Sequence, residues 1–358
     1  MNGMRLQLAR SAAGLSLRAL EDRIDKLVTA QAIGKYERGE AKPGSRVLLA
    51  LARALDVPVD YLLADEDLVL EDVEFRKKKA IARKAEAKVE ATILTQLERY
   101  LAVEELLGLP SVDWDRPRAA PYPVGDVAEA DLAARSLRNA WGLGLDPIPN
   151  MVELLEERGV KVLTMDVDDI DGLTARVRRR GHRAAPVVVV NPTHTAERQR
   201  FTLGHELGHL VMQVAPRLDE EAAAHHFAGA FLIPAEVLWA EVGKRRTAVS
   251  IGELVEVKGL FGVSAQALTH RCKDLGIIGR TLHDSLFAEF KRRGWRTPPY
   301  EEPLSLDKET PKRFERLCLR ALAEDAISES RAAELLAVSV RELGERMDMP
   351  TESVSALA

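Results

Sequence analysis

Two hydrophobic periods alternate along this chain, and they divide it. Over the first 64 residues, apolar positions recur every three or four residues in short runs: RLQLARSAAG, SLRALEDRI, TAQAIGKYERG, GSRVLLALARAL and VDYLL. Gly14, Gly39 and Pro43-Gly44 interrupt them, and Ser16 and Ser45 stand where N-caps belong. Five short helices in an all-α domain over 1–64 are predicted. From 68 to 107, Ile81, Ala85, Val89, Ile93, Leu97 and Leu101 return every four residues among charges, which predicts one or two long helices with one apolar face. The basic run RKKKAIARK (76–84) reads as a solvated face of that stretch. GLPSVDWDRPRAAPYPVGD (108–126), with four prolines, reads as a linker.

Beyond 127 the pattern is mixed. DLAARSLRNAWGL and PIPNMVELLEERG have helical spacing, whereas VKVLTMDV, DGLTARVRRR and APVVVVN have the β-branched content of strands. ARVRRRGHR (175–183) reads as charges guarding an exposed strand edge. Helices follow at about 196–213 and over DEEAAAHHFAGAFLIP, and 241–358 return to helical spacing throughout. The expected fold is multidomain and mainly α, with one α+β domain. Its parts are a helical domain at 1–64, a helical connector with linker at 65–124, the α+β domain at 125–240 and a helical C-terminal domain at 241–358.

Charge sharpens this division. The 358 residues carry a net −5, but 1–64 hold ten Lys/Arg against seven Asp/Glu, leaving −8 for the rest. A mildly basic N-terminal domain on an acidic body fits local contact with phosphates. Two cysteines, Cys272 and Cys318, are too few for a disulfide framework or a Cys-rich metal site and read as small buried hydrophobes. The start, MNGMRLQLARS, lacks the apolar core of a signal peptide, and VLLALARALDVPVDYLLA is cut by Arg53, Asp56 and Asp60. A cytoplasmic protein without membrane contact is expected.

The chemistry concentrates in FTLGHELGHLVMQ (201–213). On a helix, His205 and His209 project side by side, so two imidazoles can grip one divalent ion. Glu206, rotated by about 100°, reaches a water on such an ion and suits a general base. A catalytic zinc takes three protein ligands and keeps one open position. The next helix offers Asp219, Glu220, Glu221, His225 and His226 for the third, and spacing alone does not choose among them. A substrate strand pairing with 187–190 is the expected mode of peptide binding, and His194 and Arg198 read as helix-solvating charges.

RQRFTLGHELGHLVM followed by EAAAHHFAGAFLIP resembles the ImmA/IrrE family of zinc metallopeptidases, over about 125–240. WGLGLDPIPNMVELLEERGVKV and VVVVN resemble that family's lead-in to its active site. The resemblance implies Zn²⁺ held by His205, His209 and a Glu thirteen residues before a proline, which here is Glu221 before Pro234. It implies Glu206 as the catalytic base. The family usually has Asn four residues after that Glu. This chain has His225, expected to support the metal from behind or to act as an alternative ligand.

GLSLRALEDRI…TAQAIGKYERGEAKPGSRVLLALARALDVPVDYLL resembles the Xre-type helix-turn-helix of Cro-like and phage-repressor-like proteins. The resemblance makes LSLRAL the first helix of the motif and Thr29–Glu37 the recognition helix. Thr29 would cap it, Gln31 and Lys35 would face the major groove, and Arg38 would contact phosphate. Leu17, Leu20, Ile33 and Tyr36 are expected in the core. The usual turn glycine is replaced within RIDKLV, and position 30 is Ala where a polar base-reader is common.

The order of parts thus resembles Xre-type regulators fused to ImmA/IrrE peptidases. The function implied is a DNA-binding transcriptional regulator carrying a zinc endopeptidase. It would cleave a repressor-like or antitoxin-like protein in response to stress or another signal, and bind a double-stranded operator as a homodimer. The alternative is a non-proteolytic Xre-family transcription factor or antitoxin whose zinc fold serves as sensor or scaffold. AISESRAAELLAVSVRELGERM near the C-terminus resembles another helix-turn-helix.

Overall fold

The computed structural model describes residues 1–57, 59–63, 68–77, 83–109, 114, 116–166, 170–179 and 184–348. The centre of the basic run 76–84, Ile81, part of the linker 108–126 and the end of 175–183 lie outside the described residues.

The elements run α1 (Gly3–Ala12), α2 (Leu17–Arg23), α3 (Ala30–Glu37), α4 (Ser45–Leu55), α5 (Val59–Leu63), β1 (Leu68–Lys77), α6 (Arg83–Leu106) and β2 (Tyr122–Val124). Next come α7 (Glu129–Ala140), α8 (Met151–Glu157), β3 (Lys161–Thr164), β4 (Ile170–Arg179), β5 (Ala185–Val190), α9 (Ala196–Val211), β6 (Met212–Val214) and α10 (Glu220–Leu232). The remainder is helical: α11 (Ala235–Val242), α12 (Ile251–Phe261), α13 (Ala265–Asp274), α14 (Arg280–Arg292), α15 (Arg313–Ala323), α16 (Glu329–Leu336) and α17 (Val340–Asp348). The chain is mainly α with a small sheet, and it divides into two compact units.

The first unit joins Met1–Val69, Ala82–Asp113 and Lys312–Ala358. Leu6, Leu20, Ile33, Leu51 and Leu62 are fully buried at the centre of α1–α5, with Leu17 and Tyr36 packed against them. Side-chain caps start the helices as the sequence predicts: the Ser16 hydroxyl accepts from Ala19 N at 3.0 Å and Thr29 from Ala32 N at 3.2 Å. Ser45 differs, being the first residue of α4, with Gly44 at the cap. The turn that lacks a glycine is made by Asp25 and Lys26, both at φ 55°. A second core gathers Val103 of α6 with Leu317, Cys318, Ala332, Leu335 and Leu343. In this core α16 and α17 are joined by a three-residue turn with Ala337 left-handed (φ 56°), and Ser339 and Glu342 form a reciprocal capping box.

Residues 68–77 correct the expected helix. LVLEDVEFRK is a strand because apolar and charged residues alternate in its latter half, a period of two that a helix cannot bury on one side. The stretch 241–358 is shared between the units: α12–α14 contribute Leu254, Phe261, Leu268 and Phe290 to the core of the second, while α15–α17 belong to the first.

The second unit joins Leu70–Ile81 and Trp114–Pro311. Its sheet has the order β1-β4-β5-β3, with β4 and β5 antiparallel and β3 and β5 parallel. Two expectations change here. Strand β5, with Val187–Val190 buried, is paired on both sides, so no edge is open at 187–190 for a substrate. Strand β4 is interior as well, and its alternation of buried Ala175 and Val177 with exposed Arg176 and Arg178 marks a solvated face rather than an edge. An apolar core of Leu137, Trp141, Met151, Val188, Leu203, Leu207, Phe227 and Phe231 joins the sheet to α7–α10. Cys272 and Cys318 are both buried, and burial pushes their thiols up to about 11 and about 12. No described helix is long and apolar enough to cross a membrane.

Candidate functional site

Helix α9 is fixed first at its N-terminal half. Thr195 caps it, and the Gln199 amide donates to the carbonyls of Asn191 and His194, both at 3.1 Å. Lys258, 1% exposed, pairs with Glu197 at 3.0 Å and Glu302 at 3.3 Å. Arg200 donates to the Ile148 carbonyl at 2.8 Å and pairs with Glu309. These buried charges are each met by opposite charge or carbonyl oxygen, as burial requires.

Glycines then bring α10 close. A methyl group on Gly208 would lie 3.1 Å from the Phe227 ring, and one on Gly204 would lie 3.4 Å from Ala228 Cβ. At Gly208 the helices approach closely enough that the Phe227 ring would have to give way to a side chain, while at Gly204 a methyl group would just be in contact. Asp219 caps α10 by accepting from Ala222 N at 3.1 Å, which places Glu221 in its first turn.

Three side-chain atoms converge across this contact. His205 Nε2 and His209 Nε2 lie 3.0 Å apart, and the Glu221 carboxylate spans them, Oε2 at 3.3 Å from His205 Nε2 and Oε1 at 3.3 Å from His209 Nε2. Among the described residues this is the one group of three that offers ligand atoms all within 4.8 Å of one another. The donor set, two imidazole nitrogens and one carboxylate, is the three-ligand complement with which a catalytic zinc leaves its fourth position to water. His209 Nδ1 lies 3.4 Å from Glu220 Oε1, an arrangement that leaves Nε2 with the lone pair. His205 is fully buried, whereas Glu221 is exposed, so the group opens to solvent on the α10 side.

Of the five residues between which spacing did not choose, Glu221 alone reaches the two histidines' Nε2 atoms. Asp219 serves as the cap and Glu220 faces His209 Nδ1. His225 bonds through Nδ1 to the Glu221 carbonyl at 2.8 Å, with its ring 4.5 Å from that of His205, beside the converging atoms rather than among them. His226 turns the other way, to Asp131 at 2.8 Å. Burial would raise the Asp131 carboxyl, but hydrogen bonds from His226 and Arg271 outweigh it and hold the group below its usual range. Arg198 lies over the Tyr300 ring at 5.2 Å.

Glu206 is 2% exposed on α9. Gly172 of β4 faces it, and a methyl group there would lie 3.1 Å from Glu206 Oε1 and 2.6 Å from Thr202 Cγ2. Sequence reasoning passed over Gly172, although a lone glycine inside a strand often marks a close approach.

In the first unit, α3 is held by its neighbours. Arg10 grips Glu37 through two hydrogen bonds of 2.6 and 2.9 Å, and a methyl group on Gly3 would collide with the carbonyls of Tyr36 and Glu37. Thr29, Gln31, Lys35 and Arg38 are all exposed. Arg38 is engaged with Glu40 in a bidentate pair of 2.6 and 3.0 Å, which lowers the Glu40 carboxyl chiefly through that hydrogen bond.

Residues 155–273 match the family model of the IrrE N-terminal-like domain, and residues 6–62 match that of a helix-turn-helix. The first match includes α9 and α10 and continues to α13. No curated protein matches the chain. The chain therefore joins an Xre-like, DNA-binding helix-turn-helix domain to an ImmA/IrrE-like domain of a metallopeptidase family.

Proposed function

We propose that this protein is a DNA-binding transcriptional regulator whose second unit is a zinc-dependent endopeptidase acting on a repressor-like or antitoxin-like protein. The observation that carries the reading is the convergence of His205, His209 and Glu221 across two glycine-apposed helices. A zinc ion at that place supplies Lewis acidity at neutral pH. Glu206 takes the proton of the attacking water and passes it to the leaving amine, a role that suits the carboxylate next to the first histidine. His225, bonded through Nδ1 to the main-chain carbonyl of Glu221 and packed against the His205 ring, supports His205 or serves as an alternative ligand. Thr29, Gln31, Lys35 and Arg38 carry operator contact, with Gln31 and Lys35 on the face that enters the major groove. A homodimer on a two-fold site in the cytoplasm is the working form, and cleavage of the partner responds to stress or another signal.

The test is a proteome comparison of cells carrying the wild type or Glu206→Gln under stress. One protein should disappear only with the wild type. An unchanged proteome, with the same cellular phenotype in both, would leave the metal group a scaffold.

A further inference from the structure

Helices α13 and α14 carry a second pair of facing imidazoles. His270 Nδ1 lies 3.3 Å from His283 Nε2, with ring centroids 5.0 Å apart and planes at 51°. The pair in the candidate metal centre has nearly the same form, 3.0 Å between nitrogens and 4.8 Å between centroids. Both second-pair rings rest on Phe287, at 4.7 Å from His270 and 4.5 Å from His283, the latter stacked at 27°. That contact restricts both rings before any ligand arrives, and His283 is only 7% exposed.

His283 Nδ1 lies 3.0 Å from Asp284 Oδ1. A proton on Nδ1 donated to that carboxylate leaves the lone pair on Nε2, facing His270. This carboxylate–imidazole arrangement is the one that orients histidine ligands toward a metal. His270 is exposed, which gives an ion a way in.

We propose that His270 and His283 form a second divalent-metal site, weaker than the first, which staples α13 to α14. Two imidazoles supply two of the four positions zinc prefers, and water completes the shell. Fewer protein ligands make this site the weaker. Without metal, His270 Nδ1–H donates to His283 Nε2; when an ion binds, His270 takes its Nε2–H tautomer and its Nδ1 lone pair turns to the ion.

The experiment is equilibrium dialysis of the full chain, stripped by chelator, against Zn²⁺ alone, with thermal melting in parallel. Wild type should bind two ions, one tightly and one at least tenfold more weakly. The weaker event should persist in His205→Gln, which removes only the first centre, and raise the melting temperature of that variant. It should vanish in His283→Gln and equally in His270→Gln, an exposed position where the fold tolerates the change. Saturation of the wild type at the tight ion alone, or a weak event untouched by His270→Gln, overturns the proposal. Loss of the tight ion from the wild type, with the weak event kept, would instead count against the first centre.

Discussion

Gly172 of β4 makes room for the carboxylate of Glu206 on α9: an added methyl group would stand 3.1 Å from Oε1 and 2.6 Å from Thr202 Cγ2. The strand thus lies against the proposed base. Gly172→Ala should shift Glu206 or Thr202, destabilise the unit by about 1–3 kcal/mol and reduce cleavage by about 10²-fold. Its zinc content should match the wild type. Metal analysis beside a cleavage assay checks this, and full activity in Gly172→Ala would show that Glu206 needs no such space.

Lys26 sits at φ 55°, a conformation that costs an L-residue about 1–2 kcal/mol. Lys26→Gly should therefore raise the stability of the N-terminal domain by up to about 1 kcal/mol, seen as a rise of several degrees in its melting temperature. Asp25 shares the backbone angle, but Asp tolerates it better through its short polar side chain. An unchanged or lower melting temperature contradicts the reading of this turn.

The Arg38–Glu40 pair partly neutralises the residue expected to touch phosphate. Releasing it with Glu40→Gln should tighten operator binding and steepen the dependence of log K on log salt by up to about one charge equivalent. Arg38→Ala should do the reverse. A filter-binding or anisotropy series over salt distinguishes the two. Identical slopes in all three proteins would remove Arg38 from the interface.

Asp131 contributes stability through pH. Its folded carboxyl lies below its ordinary value because hydrogen bonds from His226 and Arg271 outweigh burial. For a depressed carboxyl the contribution is present above the unfolded value, near 4, and is lost as pH falls through the folded one. Asp131→Asn should cost about 1 kcal/mol near neutrality, allowing for partial exposure. The gap to the wild type should close below about pH 4. Denaturant titrations at pH 7 and pH 3 measure it, and a gap that persists at pH 3 contradicts the assignment.

Much of this was legible because the chemistry sits on strongly periodic helices. The caps at Ser16 and Thr29, the buried Leu20 and Ile33, and the pairing of His205 with His209 all follow from local spacing. What escaped is long-range. Val187–Val190 looks like any apolar strand until its two neighbours are known, so the sequence offered no way to tell an interior strand from an edge. Spacing left Glu221 and Glu220 open and only the family resemblance pointed to Glu221, because the choice depends on how closely α10 approaches α9 at Gly208. The strand at 68–77 was hidden by its charged neighbours in a region dominated by a period of four. His270 and His283, thirteen apart, meet only because α13 and α14 fold back on one another.

The most direct test of the central claim is zinc measured by mass spectrometry, with X-ray absorption at the metal edge, on purified wild type, Glu206→Gln and Glu221→Gln. Wild type and Glu206→Gln should each retain one tight ion with two imidazole nitrogens and a carboxylate oxygen in its shell. Glu221→Gln should lose that ion or bind it at least tenfold more weakly. Equal tight zinc in Glu221→Gln, or none in the wild type after loading, would contradict a metal centre shared between α9 and α10.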